Sequence, residues 1–331
     1  MKNLLTDIAG VSVGHADDAR LASGVTAILF DKPAVAAIDV RGGGPGTREE
    51  ALLRPESTVE AIDGITLSGG SALGLDAAGG VQAWLAEQGR GFKIRDAVIP
   101  IVPGAICFDL LNGGDKKWGR FPPYRNLGYA AAAAAGKDFS LGSVGAGMGA
   151  TTATLKGGLG SASAETSTGA LVAALAVVNA VGSVTIGDGP WFWAAPFEID
   201  GEYGGRGLPA SFIPDMLALR LKGRSAATSA ENTTIAAVVT DATLTKAQAK
   251  RLAMIAQTGM ARAIYPVHAP LDGDVVFAAA TCEKPIDPVV GLTELGAVAA
   301  NVLARAIARG VFMATALPFP DALPAWRDRF G

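Results

Sequence analysis

The sequence predicts an α/β protein of stacked layers, sheet covered by helices, and three observations predict it. Short apolar runs alternate with turn signals in the first 70 residues, one of them feeds through Ser68-Gly69-Gly70-Ser71 into a helical stretch, and the part after residue 232 reads strand, helix, strand, helix. In chain order, Val11 to Val13, Gly24 to Phe30, Val35 to Val40 and Gly64 to Leu67 have strand character. Ala72 to Glu87 is the first predicted helix, with Ser71 as its N-cap. Ala97 to Val102 reads as a further strand, Leu127 to Ala135 as an Ala-rich helix that must pack closely on a neighbour, and residues 169–181 as a buried apolar segment. A small, polar, loop-like run near residues 223–232 follows, and Thr233 to Val239 resumes strand character. Thr245 and Gln248 form a capping box at the head of a helix running to about Thr258. Asp274 to Ala280 reads as a strand and Gly291 to Ala308 as a long helix.

Half of the 331 residues are hydrophobic, ample for a substantial core. Charged residues are 18% and the net charge is -3, which leaves no electrostatic footprint for nucleic acid and no basic cluster for an anionic membrane. Cys107 and Cys282 lie far apart, show no metal or disulfide spacing, and read as small buried apolar residues. The N-terminus runs from Lys2 to Asp7 without the apolar core of a signal peptide, and no uninterrupted apolar run of about 18 residues occurs, so a cytoplasmic protein is expected. The 43 glycines arrive in clusters that allow close backbone approach, each followed by a patterned apolar segment.

The junction Asn232-Thr233 joins the loop-like run to a strand. Cutting it would make Thr233 an N-terminus, with nucleophilic hydroxyl and basic amine on one residue. The bland reading is that Asn-Thr-Thr simply opens a strand. Gly145-Ala-Gly147-Met-Gly149-Ala150 matches the dinucleotide pattern, but the threonines and glycines after it oppose the helix that pattern needs, so no nicotinamide cofactor is expected. Neither a phosphate-binding loop nor a metal site is supported, and no cofactor is predicted. His15 reads as a hydrogen-bonded strand-end imidazole, and His268 as a loop residue favoured for a structural role. Asp272-Gly273-Asp274 puts two carboxylates at i and i+2 just before a strand, where both can face one group; a plain β-turn is the alternative. Lys156 reads locally as an exposed loop lysine. Asn179, inside an apolar run, is expected to be buried, and a buried amide needs partners: it could cap a turn or hold an oxyanion.

Taken together, Ile8 to His15, Asp39 to Thr47, Leu67 to Gly74, Val144 to Ala150, Lys156 to Ser161, Asn232-Thr233-Thr234 and Asp272-Gly273-Asp274 resemble the DmpA, or P1, family of self-processing aminopeptidases, which includes β-peptidyl aminopeptidases and the nylon-oligomer endo-hydrolase. The resemblance runs over nearly the whole chain. It implies an αββα sandwich akin to N-terminal-nucleophile hydrolases. It further implies one structural domain over residues 1–331, cut into an α chain of residues 1–232 and a β chain of residues 233–331, and a homo-oligomer, a tetramer of αβ units. By the same resemblance Thr233 is the nucleophile with its freed amine as base, Asn179 lies near the oxyanion, and Lys156, Asp272 and Asp274 match the lysine and paired aspartates of the nylon-oligomer branch. Phe108 stands where that branch has a tyrosine, with Cys107 beside it, so the substrate side is expected to be neutral and to accept small peptides or aminoacyl amides. Three other readings stay open: an acyl transferase resembling ornithine acetyltransferase, an unprocessed binding protein of the same fold, and a nicotinamide oxidoreductase.

Overall fold

The computed structural model describes residues 1–213, 215–223 and 232–331; most of the loop-like run before Asn232 lies outside the described residues. The strands are β1 (Val11–Asp18), β2 (Ser23–Val40), β3 (Thr47–Arg48), β4 (Ala61–Ser68), β5 (Phe92–Ile94), β6 (Ala97–Ile99), β7 (Gly104–Ile106), β8 (Gly158–Glu165), β9 (Leu171–Asn179), β10 (Thr233–Ala242) and β11 (Val275–Lys284). The helices are α1 (Ala77–Glu87), α2 (Tyr124–Ala133), α3 (Lys246–Ala263), α4 (Val290–Phe312) and α5 (Trp326–Phe330).

Hydrogen bonding links the strands in the order β3-β7-β4-β2-β11-β10-β9-β8, with β1 added beside β2, while β5 and β6 form a separate pair. The long strand β2 serves two layers. Its first half pairs with β1 and β4, and Val35 to Val40 pair antiparallel with β11. A register irregularity between Leu29 and Ala34 lies between the halves; such irregularities bend strands, and a bent strand can pass from one layer to another.

Alternation along the strands then sorts the core. On β10, Ile235, Ala237 and Val239 join Leu175 and Val177 of β9 and Ile28 and Phe30 of β2 in an apolar layer between the sheets. Ala236 and Val238 face the other way, onto Leu252, Ala256 and Met260 of α3 and Leu295, Leu303 and Ile307 of α4. On the far side, Val25, Ala27 and Leu29 of β2 are covered by α1 and α2. The order is helix, sheet, sheet, helix, the αββα sandwich expected above. The Ala-rich α2 packs closely as its composition requires, since a Cβ on Gly128 would come within 2.0 Å of the Ala77 carbonyl oxygen of α1.

One local expectation is corrected. Ser71 caps no α-helix: residues 71–76 form a 3-10 turn led by Gly70 at φ 85°, and α1 starts at Ala77. Ser71 itself lies at φ 53°, away from the extended backbone that an N-cap needs, and its amide is tied to the Cys107 carbonyl at 3.0 Å. In addition, α4 is long and apolar enough by composition to cross a membrane, but most of it is buried within the molecule. The glycine run at 145–149 makes a 3-10 turn over Gly145–Gly147 and leads into no α-helix, in line with the rejection of a dinucleotide fingerprint.

Candidate active site

The site forms where β9 ends and β10 begins. Asn179 and Thr233 are direct partners in the antiparallel ladder. Thr233 continues the series of Ile235 and Ala237, and Asn179 that of Val177 and Leu175, so by alternation both belong to the layer between the sheets, at its end. Register alone brings them together from 54 positions apart (233 minus 179).

In this uncut chain the Thr233 hydroxyl donates to the carbonyl oxygen of Asn232, the preceding residue. Asn232 lies parallel to Asp272 in an isolated bridge, and its carbonyl also accepts the Gly273 N–H at 3.2 Å. A Cβ on Gly273 would sit 2.6 Å from Thr233 Oγ1, so only glycine admits so close an approach. Asp274 anchors the strand start: Oδ1 accepts the Thr234 N–H at 2.8 Å, while Oδ2 accepts the His268 backbone N–H at 3.1 Å and its ring Nδ1 at 2.8 Å. His268 reaches this position with φ at 57°. Asp272, also buried, accepts the Ala269 N–H at 3.4 Å; burial, reinforced by the neighbouring Asp274, pushes its carboxyl up to about 8. The two aspartates thus flank Gly273 beside Thr233, with Asp274 bonded to the amide of Thr234.

Asn179 is clamped from several directions. Its Oδ1 accepts the Thr151 N–H at 3.0 Å and the Lys222 ammonium at 2.7 Å, and its Nδ2 donates to the Phe108 carbonyl at 2.9 Å. Donors on one side and an acceptor on the other fix the amide's orientation. Lys222 also donates to the Thr151 carbonyl at 3.2 Å. Lys156 is no exposed loop lysine: it is buried, its Nζ donates to the carbonyls of Gly147 at 3.1 Å and Gly157 at 2.8 Å, and burial lowers its pKa to about 7 against the pull of Asp109.

A cavity of about 390 Å³ opens beside these groups. Phe108, Thr151 and Lys222, all partners of Asn179, border it together with Lys156, and Leu111 and Leu323 supply apolar wall. Thr233, only 3% exposed, does not itself border the cavity; its ladder partner Asn179 is bonded to three residues that do. Cys107 does not border the cavity; it lies in the core between the sheets, where burial pushes its thiol up. Asp109 borders the cavity while accepting the Ser23 hydroxyl at 2.6 Å and the Gly70 N–H at 2.8 Å, and burial raises its pKa. His15 is structural: Nδ1 meets Thr26 Oγ1 at 3.0 Å, and burial lowers the ring to about 4.

Sequence reasoning missed Lys222 and Asp109, and read His268 as structural. For His268 there was a signal, its place six residues before Asp274 (274 minus 268). For Lys222, at the edge of a polar run, there was none.

With this geometry in view, the comparisons are decisive on family. The model of peptidase family S58 matches residues 3–322. The chain belongs to peptidase family S58. An uncharacterised aminopeptidase of Mycobacterium tuberculosis is 43% identical over 347 aligned positions, covering 99% of this chain and 98% of that protein. The 6-aminohexanoate-oligomer endohydrolase of a Kocuria species is 29% identical, over 92% of this chain and 85% of that one. Among solved structures, a Burkholderia β-aminopeptidase superposes with a TM-score of 0.71 at 20% identity, over 99% of this chain and 93% of that one. The L-aminopeptidase D-Ala-esterase/amidase of Ochrobactrum anthropi, described as a variant of the Ntn hydrolase fold, gives 0.71 at 19% identity over 99% and 92%. The DmpA resemblance and the sandwich fold both hold, and S58 membership makes the chain a peptide-bond hydrolase.

Proposed function

We propose that this S58 member is a self-processing N-terminal-nucleophile aminopeptidase or amidase working through a Thr233 acyl-enzyme. One observation carries the reading: in the uncut chain the Thr233 hydroxyl lies on the carbonyl of the peptide bond it would attack. In maturation Oγ1 adds to the Asn232 carbonyl carbon, the amide becomes an ester with release of the Thr233 nitrogen as an amine, and water then frees residues 1–232. In turnover that amine, with a free-solution pKa of about 8, takes the hydroxyl proton as Oγ1 attacks a substrate amide, and gives it to the leaving amine. The clamped Asn179 amide stabilises the oxyanion, Asp274 holds the start of β10 in place through Thr234, and Asp272 and Lys156 set the field around the reacting atoms. The substrates are small peptides or aminoacyl amides, entering through the cavity beside Phe108.

Intact mass under denaturing conditions tests this directly. Purified wild-type protein is expected as two fragments, residues 1–232 and 233–331, and Thr233→Ala as one inactive chain. A wild-type protein that stays uncut yet hydrolyses amides at full rate would sink the mechanism. Activity should fall as pH drops below the pKa of the Thr233 amine, because the general base becomes protonated.

A further inference from the structure

We propose that the acyl residue of a substrate occupies the place Asn232 holds in the uncut chain, with its carbonyl on the Gly273 N–H and its side chain in a slot that favours apolar groups over carboxamides. The proposal rests on Thr233 as nucleophile. Self-processing and turnover then form the same bond, from an acyl carbon to Thr233 Oγ1. One donor can therefore serve both carbonyl oxygens, and the Gly273 N–H, at 3.2 Å from the Asn232 oxygen, already points at the atom that gains negative charge as Oγ1 adds. Alignment comes from the parallel bridge between Asn232 and Asp272, which lays the acyl residue against the segment leading into β11 as if it were one more strand residue. The short reach depends on glycine, since a Cβ at position 273 would press on Thr233 Oγ1 and lie 3.0 Å from the Gly44 carbonyl oxygen.

The side chain supplies the specificity. Asn232 is 2% exposed, and neither its Oδ1 nor its Nδ2 has a hydrogen-bond partner among the described residues. A buried carboxamide without partners gives up its hydration for nothing, whereas an apolar group of the same shape loses nothing. Leucine has nearly the shape of asparagine without the polar atoms. The slot therefore holds Asn232 poorly, which favours departure of the cut end, and receives a leucine-like acyl residue better.

Two measurements decide it. Matured wild-type enzyme is assayed on the p-nitroanilides of leucine, asparagine and aspartate: kcat/KM for leucine is expected at least about tenfold above the other two, and equality or a reversed order overturns the slot. Independently of turnover, processing of Asn232→Leu is followed by intact mass. Because the lost amide made no bonds, it should mature at the wild-type rate or faster; a slowing of tenfold or more overturns the proposal. A wild-type chain that never processes defeats the Thr233 reading and the slot with it, whereas a chain that processes normally yet prefers asparagine defeats the slot alone.

Discussion

Asp272 and Lys156 are both buried beside the site, and burial opposes their charges in opposite directions along the pH scale. For Asp272 the folded pKa, about 8, lies above its ordinary value of 3.8, so the folded state holds a proton that the unfolded chain has lost. Its contribution to stability is therefore full below about pH 4 and is lost as pH rises through 8. Asp272→Asn should flatten that fall, checked by urea midpoints at pH 5 and 8.5. For Lys156 the folded value, about 7, lies below 10.5, so its contribution is full above 10.5 and is lost as pH falls through 7. Lys156→Met should accordingly reduce the rise in stability between pH 7 and 10, and a variant with the wild-type slope would show that the ammonium is not desolvated. The burial of Lys156 was invisible locally, because Thr-Leu-Lys-Gly-Gly suits an exposed loop. Its acceptors are the carbonyls of Gly147 and Gly157, which the fold turns toward it.

Elements with complete local signals were legible. The capping box at Thr245 is present, its side chain accepting the Gln248 N–H at the head of α3, and Thr245→Ala should cost about 1 kcal/mol in chemical unfolding. Strands β9 and β10 were legible as apolar runs, and the residues that end them, Asn179 and Thr233, are the ones to which the proposed mechanism assigns the chemistry. What holds those ends was not legible: Lys222, outside any strand, donates to Asn179 Oδ1 at 2.7 Å and competes for no local pattern. Loss of this charged donor frees the amide to rotate, so Lys222→Met should lower kcat by about tenfold or more with little change in KM, and Lys222→Arg should restore part of it. An unchanged kcat in a fully matured Lys222→Met enzyme would remove Lys222 from the positioning of Asn179. At Ser71 a local capping signal lost to the backbone conformation that the fold imposes, φ 53°.

At the scale of the whole molecule, the layers are joined by small residues where bulk would part them. A Cβ on Gly310 of α4 would lie 2.8 Å from the Gly160 nitrogen of β8, and one on Gly160 would lie 2.0 Å from the Ala306 carbonyl oxygen. Gly310→Leu should therefore destabilise by about 3 kcal/mol or more, read as a lowered urea midpoint, because neither backbone can retreat from a packed core. The sequence by itself determined the kind and order of most elements, the αββα family through its ordered motifs, and the candidates Thr233, Asn179, Lys156, Asp272 and Asp274. The kind and order of the elements follow from backbone periodicity and the sterics of near neighbours, which a linear string records, whereas the fold family and the site candidates follow from the resemblance that the ordered motifs carry. Only the tertiary structure decided that Asn179 faces Thr233, that Asp274 holds both His268 and the Thr234 amide, that Lys222 clamps Asn179, and that Lys156 is buried. Those outcomes depend on ladder register and on which carbonyls and charges from distant segments share a buried space, and no local pattern encodes either.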